Sequence, residues 1–207
     1  MSDPGPAGRL VGLETAAPTV VEQAREVYEA GFPAALRAPF ADLLAVRTDE
    51  RTQVLLDDTD TVLGLVLVRD LGDTSWTFLR YFVVAEGRRG QGIGSRLWEA
   101  LCGDLAGRER EVLLFDVEDP DDRAAGPHEA QERSRRVEFY RRLGADLLDV
   151  RSYAPPHHGQ QGTEPIPLRL MAATIEETGR SVPPGWPAEG IAKAVSTVLR
   201  HRYGLTA

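Results

Sequence analysis

Apolar residues along this chain recur at two periods, and the order in which those periods alternate predicts its elements. Residues 9–15 read as a short strand. Pro18 then opens a helix in which Val20, Val21, Ala24, Val27 and Tyr28 form one apolar stripe, ended by Gly31. A second helix is expected over 39–47, with Phe40, Leu43, Leu44 and Val46 apolar. Strands at 51–56 and 61–69, joined by the turn Asp57-Asp58-Thr59-Asp60, make a hairpin, and 75–84 extends it to an antiparallel meander. The helix at 92–108 places Ile93, Leu97, Leu101 and Leu105 four residues apart on one face. A strand at 111–118 follows, then an acidic loop through His128.

The helix expected at 129–143 carries Glu129/Arg133, Glu132/Arg136 and Glu138/Arg142, acid first at i,i+4, which predicts an exposed, mildly stabilised face. Segments 145–153 and 167–174 read as a last hairpin with a Pro/His/Gly-rich insert between them. Ile191, Ala194, Val195, Val198 and Leu199 give a C-terminal helix over 188–203, and Trp186, set between prolines, is expected to pack it onto the sheet. No internal repeat is evident. The order predicts an α+β fold with a mixed sheet: one domain over 9–207 behind a frayed tail at 1–8.

Bulk properties narrow the function. At 207 residues the chain can bury a proper core, and it has no apolar run long enough to span a membrane. The polar, turn-rich N-terminus is not a secretory signal. A single cysteine, Cys102, allows no intrachain disulfide, fits a reducing cytoplasm, and falls on the apolar side of its helix as a buried thiol. A formal charge of −8 argues against nucleic acid, which needs a basic surface. It leaves room for a cationic or amine substrate.

The most specific signal is Arg88-Arg89-Gly90-Gln91-Gly92-Ile93-Gly94-Ser95, between a strand-like run and a helix-like run. A glycine-rich turn that opens a helix after a strand presents free backbone N–H groups and the positive end of the helix dipole to an anion. The glycines let backbone approach a phosphate, and the arginines add forked donors. No Lys follows, as a P-loop requires, and the glycine spacing breaks the dinucleotide fingerprint because position 95 is Ser. Arg89-x-x-Gly92-x-Gly94 instead resembles the coenzyme A pyrophosphate motif of the GNAT superfamily of acyl-CoA N-acyltransferases. Val137-Glu138-Phe139-Tyr140-Arg141-Arg142-Leu143-Gly144-Ala145 resembles that family's later signature, a helix ending in Tyr-x-x-x-Gly before a strand.

The resemblance covers residues 9–175 and implies a mostly antiparallel sheet, flanked by helices and splayed open between the strand before the glycine turn and the strand after its helix. It implies acyl-CoA in that split, with its pantetheine arm along the backbone of Val83 and Val84. It also implies Tyr140 as the general acid for the leaving thiolate. Where relatives commonly carry Asn seven residues before this Tyr, the chain has Arg133, so that contact does not carry over.

Acyl transfer to an amine also needs a proton acceptor. Asp116 and Glu118 alternate onto one face of their strand, and either could take the proton directly or through water; Glu118, nearer the open end, is favoured. The alternative is a solvated strand end. Tyr153, His157 and His158 lie in or beside the insert that in this family commonly covers the acceptor site, and no histidine spacing suggests a metal. The expectation is a cytoplasmic N-acetyltransferase using acetyl-CoA and no metal. It would act on a small-molecule primary amine by direct attack in a ternary complex, without nucleic-acid or membrane partners. The C-terminal helix could serve a homodimer. A longer acyl donor, a peptide acceptor, or a non-catalytic acyl-CoA-binding module are the alternatives.

Overall fold

A computed structural model describes residues 8–34, 37–150, 153, 155 and 167–205. Its centre is an eight-stranded sheet in the order β1 (Arg9–Gly12), β2 (Glu50–Leu56), β3 (Val62–Asp70), β4 (Trp76–Val84), β5 (Val112–Glu118), β7 (Leu168–Ile175), β6 (Asp146–Leu147), with β8 (Ser181–Val182) also on β7. Every pairing is antiparallel except β4 with β5.

The β2–β3 hairpin is closed by the Asp57 carboxylate. It accepts from the backbone N–H of Thr59 (2.9 Å), the Thr59 hydroxyl (2.7 Å) and the N–H of Thr61 (3.0 Å). These bonds favour the ionised form and lower its pKa.

β4 is irregular where it matters. Leu67 pairs with Tyr81 but Val68 pairs with Leu79, so Arg80 is a bulge residue. The extra residue sends Arg80 and Tyr81 to the same side, while Leu79 and Phe82 both pack on the opposite one. Beyond the bulge, β4 stays paired to β3 as far as Val84. Its parallel pairing to β5 covers only Trp76/Val112, Thr77/Leu113 and Phe78/Leu114. From Leu79 and Phe115 onward the two strands diverge.

Helices cover both faces. On one side α3 (Ile93–Gly107) and α4 (Pro127–Arg142) bury Leu97, Trp98, Leu101, Leu105, Val137 and Tyr140 against Leu79, Phe115 and Val117. On the other, α1 (Pro18–Gly31) and α2 (Phe40–Leu44) cover β2 to β4 through Val20, Ala24, Tyr28, Phe40 and Leu43. The same side is closed over β5 and β7 by α5 (Ala188–His201), with Ala194 and Val198 buried beside Phe78, Leu114 and Leu170. Trp186 stacks on Trp76 (5.3 Å, 18° between planes), docking α5 as expected, and Cys102 is buried. Among the described residues no helix is long and apolar enough to cross a membrane.

Four expectations change. The strand expected at 9–15 ends at Gly12, and Leu13–Thr15 is a single 3-10 turn. α2 stops at Leu44 and leaves Val46 89% exposed, because the Thr52 hydroxyl takes the Leu43 carbonyl (2.9 Å) and Ala45 is extended. The strand expected at 145–153 shrinks to Asp146–Leu147. β8 takes the other stretch of β7, which β6 leaves unpaired: Ser181 and Val182 pair with Ile175 and Thr174. Finally, Arg133 does not lie on an exposed α4 face: it is buried, although it keeps its i−4 partner Glu129, while the exposed Arg136 turns to Glu118 instead of Glu132.

Candidate active site

The glycine turn sits at the open end of the split. Gly92 caps α3 from the left-handed region (φ 75°) with no side-chain cap. The first helical hydrogen bond runs from Arg96 N–H to the Gly92 carbonyl (3.2 Å), so the N–H groups of Ile93, Gly94 and Ser95 have no partner one turn back. Gly90 is also left-handed (φ 77°), and a Cβ added at Gly90 or Gly92 would meet nothing within 4 Å. The turn is an open backbone cradle.

Gly94 does something else: a Cβ there would come within 3.0 Å of the Phe139 ring, so this glycine lets α4 approach α3. Gln91 donates to the Gly87 carbonyl (3.1 Å) and braces the turn. Arg88 and Arg89 are exposed. Val83 is buried against α1, whereas Val84 packs on the α3 side, as their alternation requires.

Tyr140 bridges the split from the α4 side. Its ring lies 5.9 Å from Phe82 on β4 and 4.5 Å from Phe115 on β5, centroid to centroid, with Trp98 at 5.4 Å. The residue is 7% exposed, and among the described residues its hydroxyl meets no hydrogen-bond partner. Burial raises its pKa to about 12, with the Arg136 charge opposing. The phenol is therefore neutral, and a hydrogen-bond donor, at any ordinary pH.

The two carboxylates of β5 do not form a pair. Glu118 is held by Arg136 (2.9 Å) and approached by the Arg133 Nε (3.7 Å), which commits it to tying α4 to the strand. Asp116 turns to the opposite side, where Tyr153 donates to its Oδ1 (2.6 Å) and Tyr203 to its Oδ2. Burial first, then the Asp116 charge, pushes both phenols well above the usual tyrosine range. The ladder to β7 runs without a bulge through Glu118, so the two residues keep the expected alternation, but their carboxylates have different partners.

Arg133 is 3% exposed. It donates to the Asp119 carbonyl (3.1 Å), the Asp122 carboxylate (2.9 Å) and Glu129, pinning the acidic loop to α4. Of the expected acceptor-side residues, Tyr153 joins Asp116, while His157 and His158 lie outside the described residues.

Sequence reasoning missed Arg202 and Tyr203, which α5 delivers to the split. The stripe from Ile191 to Leu199 signalled that this helix docks, but nothing local signalled which side chains its end would place there.

Comparison with known proteins identifies the family and the fold. The Acetyltransferase (GNAT) family matches residues 17–145, more than half of the chain. Among curated protein sequences none matches. A solved structure from Bacteroides thetaiotaomicron, assigned to the GNAT acetyltransferases, is 20% identical with a TM-score of 0.70, covering 96% of this chain and 99% of its own. An aminoglycoside 6'-N-acetyltransferase solved with coenzyme A is 18% identical, TM-score 0.58, over 81% of this chain and 97% of its own. The ribosomal-protein-S18-alanine N-acetyltransferase of Escherichia coli is 16% identical, TM-score 0.56, over 82% and 94%. At these identities the structures speak to the fold, and the fold is shared: a mostly antiparallel sheet flanked by helices. With the family match over residues 17–145, the chain belongs to the GNAT family of acetyltransferases.

Proposed function

We propose that the protein transfers an acetyl group from acetyl-CoA to a primary amine on a small molecule, by direct attack in a ternary complex. The observation that carries this reading is the split itself. It is walled at one end by an uncapped helix N-terminus and bridged by a neutral phenol, with a carboxylate on the opposite side. The cradle of Gly90 and Gly92, with the N–H groups of Ile93, Gly94 and Ser95, suits a pyrophosphate, and Arg88 and Arg89 suit its charge. β4 offers its unpaired edge at Val83 and Val84 to an amide-bearing arm.

In this reading the amine nitrogen forms a bond to the thioester carbonyl carbon, the carbon–sulfur bond breaks, and the sulfur leaves with the bonding pair. Tyr140 donates a hydrogen bond to that sulfur. A phenol with pKa about 12 is a weaker acid than an ordinary thiol, so stabilisation by the hydrogen bond, with the proton following, is the better description than prior proton transfer. The amine's proton passes toward Asp116. Phenol hydrogen bonds can yield to an ammonium, whereas Glu118 is already ion-paired with Arg136, with the Arg133 Nε 3.7 Å away.

Calorimetry with acetyl-CoA, followed by free-thiol release against a panel of amines, tests the proposal. Binding with amine-dependent release is expected. Binding without release from any amine would overturn the transferase reading, and absence of binding would overturn the cradle.

A further inference from the structure

Arg202 is the anomaly of this molecule. It follows α5, its backbone N–H bound to the Val198 carbonyl (2.8 Å), and its guanidinium lies over the rings of Phe78 (5.7 Å) and Tyr203 (5.0 Å). Four other half-buried or buried arginines have carboxylates in hand: Arg51 and Arg110 share Asp70 (2.9 Å each), Arg80 holds Glu50 (2.6 Å), and Arg133 holds Asp122 (2.9 Å). Arg202 is half-buried, and among the described residues no carboxylate comes within ion-pair distance of it; its Nε, like those of Arg51, Arg80, Arg110 and Arg133, is buried without a hydrogen-bond partner. Burial first, then the Arg80 charge, pulls its pKa below the usual arginine value, with Arg69 adding to the repulsion and Tyr203 and Asp116 opposing it. A cation kept partly out of water beside two other cations is costly to hold.

Its position gives it a use. Phe78, under the guanidinium, is the last residue of β4 paired to β5, and Asp116, two residues past Phe78's partner Leu114, is bound by the neighbouring Tyr203. The apex of the split thus carries a carboxylate and an unmatched guanidinium side by side, opposite Tyr140. We infer that the acceptor is a small amino carboxylate, its carboxylate taken by Arg202 and its amine directed to the Asp116 side. A flat guanidinium matches a carboxylate with two parallel hydrogen bonds. A doubly charged phosphate would be repelled more strongly by Asp116 and by the net charge of −8. The inference deepens the transferase reading and rests on it.

The test pairs amino acids with their carboxamides as acceptors, reading thiol release from acetyl-CoA by wild type, Arg202→Gln and Arg202→Lys. The free acids are expected to exceed the amides at least tenfold in kcat/KM. Arg202→Gln should erase that preference through KM and Arg202→Lys should restore part of it. Calorimetry with acetyl-CoA reports that the variants are folded. Equal use of acids and amides, or a preference that survives Arg202→Gln, overturns the inference and leaves the transferase reading standing. Should no amine release thiol, thermal shift with coenzyme A and N-acetylated amino acids decides. Stabilisation by the acids alone, lost in Arg202→Gln, supports the anion site while the transferase reading fails; no shift, or the same shift with the amides, overturns both.

Discussion

The two ends of the split are built from different materials. The glycine turn is exposed and made of backbone: free N–H groups, two left-handed glycines, and arginines that stand in solvent. The apex opposite Tyr140 is half-buried and made of side chains, Asp116, Tyr153, Arg202 and Tyr203, brought together from β5, the segment after β6, and the end of α5. The turn lies within residues 17–145, which match the family; three of the four apex residues lie beyond them. On our reading the family binds its common donor with backbone, while the acceptor is chosen by side chains that each member supplies for itself. A backbone cradle tolerates divergence because most residues present the same N–H. A side-chain site can change with one substitution.

The sharpest way to break the comparison is Gly92→Asp. Asp tolerates the left-handed conformation of Gly92 better than most residues, at a cost of about 1 kcal/mol, so the fold should hold. Its charge would stand where the pyrophosphate is proposed. Acetyl-CoA affinity is expected to fall at least a hundredfold by calorimetry, with the melting temperature within a few degrees of wild type. Retained affinity would mean that the turn is not the donor site.

Tyr140→Phe comes next. It removes one hydroxyl that has no hydrogen-bond partner among the described residues, so little stability is at stake. We expect kcat to drop at least tenfold with acetyl-CoA affinity unchanged. The alkaline limb of the wild-type pH–rate profile between pH 7 and 10 should persist in the variant, because a phenol with pKa about 12 does not titrate there. An unchanged kcat would remove Tyr140 from the chemistry.

Where sequence was informative follows the same division. The turn was legible because contiguous glycines between two apolar runs carry their conformational reason with them, and the stripe of α3 was legible because Leu97, Leu101 and Leu105 repeat at helical spacing. Even there, a second reason for Gly94, the gap into which Phe139 fits, needs α4 in place and is not legible from spacing. The Arg80 bulge, the different partners of Asp116 and Glu118 and the arrival of Tyr203 all depend on register and long-range packing. Spacing within one strand says nothing of which helix end will meet it.

Asp116→Asn sharpens the apex with a smaller effect. Tyr153 and Tyr203 owe their raised pKa values first to burial and then to the Asp116 charge. Removing that charge should lower both, while burial keeps them above the ordinary tyrosine value. A spectrophotometric tyrosine titration should therefore show the last phenols to ionise doing so at lower pH in the variant. Turnover is expected to fall several-fold with acetyl-CoA affinity kept. An unmoved titration would mean that the two phenols do not rest on this carboxylate.

The smallest expected effect concerns the position where relatives commonly carry Asn. Arg133 gathers Asp122, Glu129 and the Asp119 carbonyl, and stands near Glu118, so it serves as a strut between the acidic loop and α4. Asp122 has its pKa lowered, first by the Ala124 N–H and then by Arg133. A carboxylate with a folded pKa below its unfolded value adds stability above the unfolded pKa and loses it as pH falls through the folded one. Arg133→Met should lower the melting temperature by several degrees at pH 7, and the gap to wild type should narrow as the medium is acidified below about pH 4. Turnover at saturating acetyl-CoA should change little, because Arg133 meets carboxylates and a carbonyl of its own chain rather than the split. A gap that stays constant with pH would assign Arg133 to packing alone, and a large loss of turnover would move the acidic loop from scaffold to site.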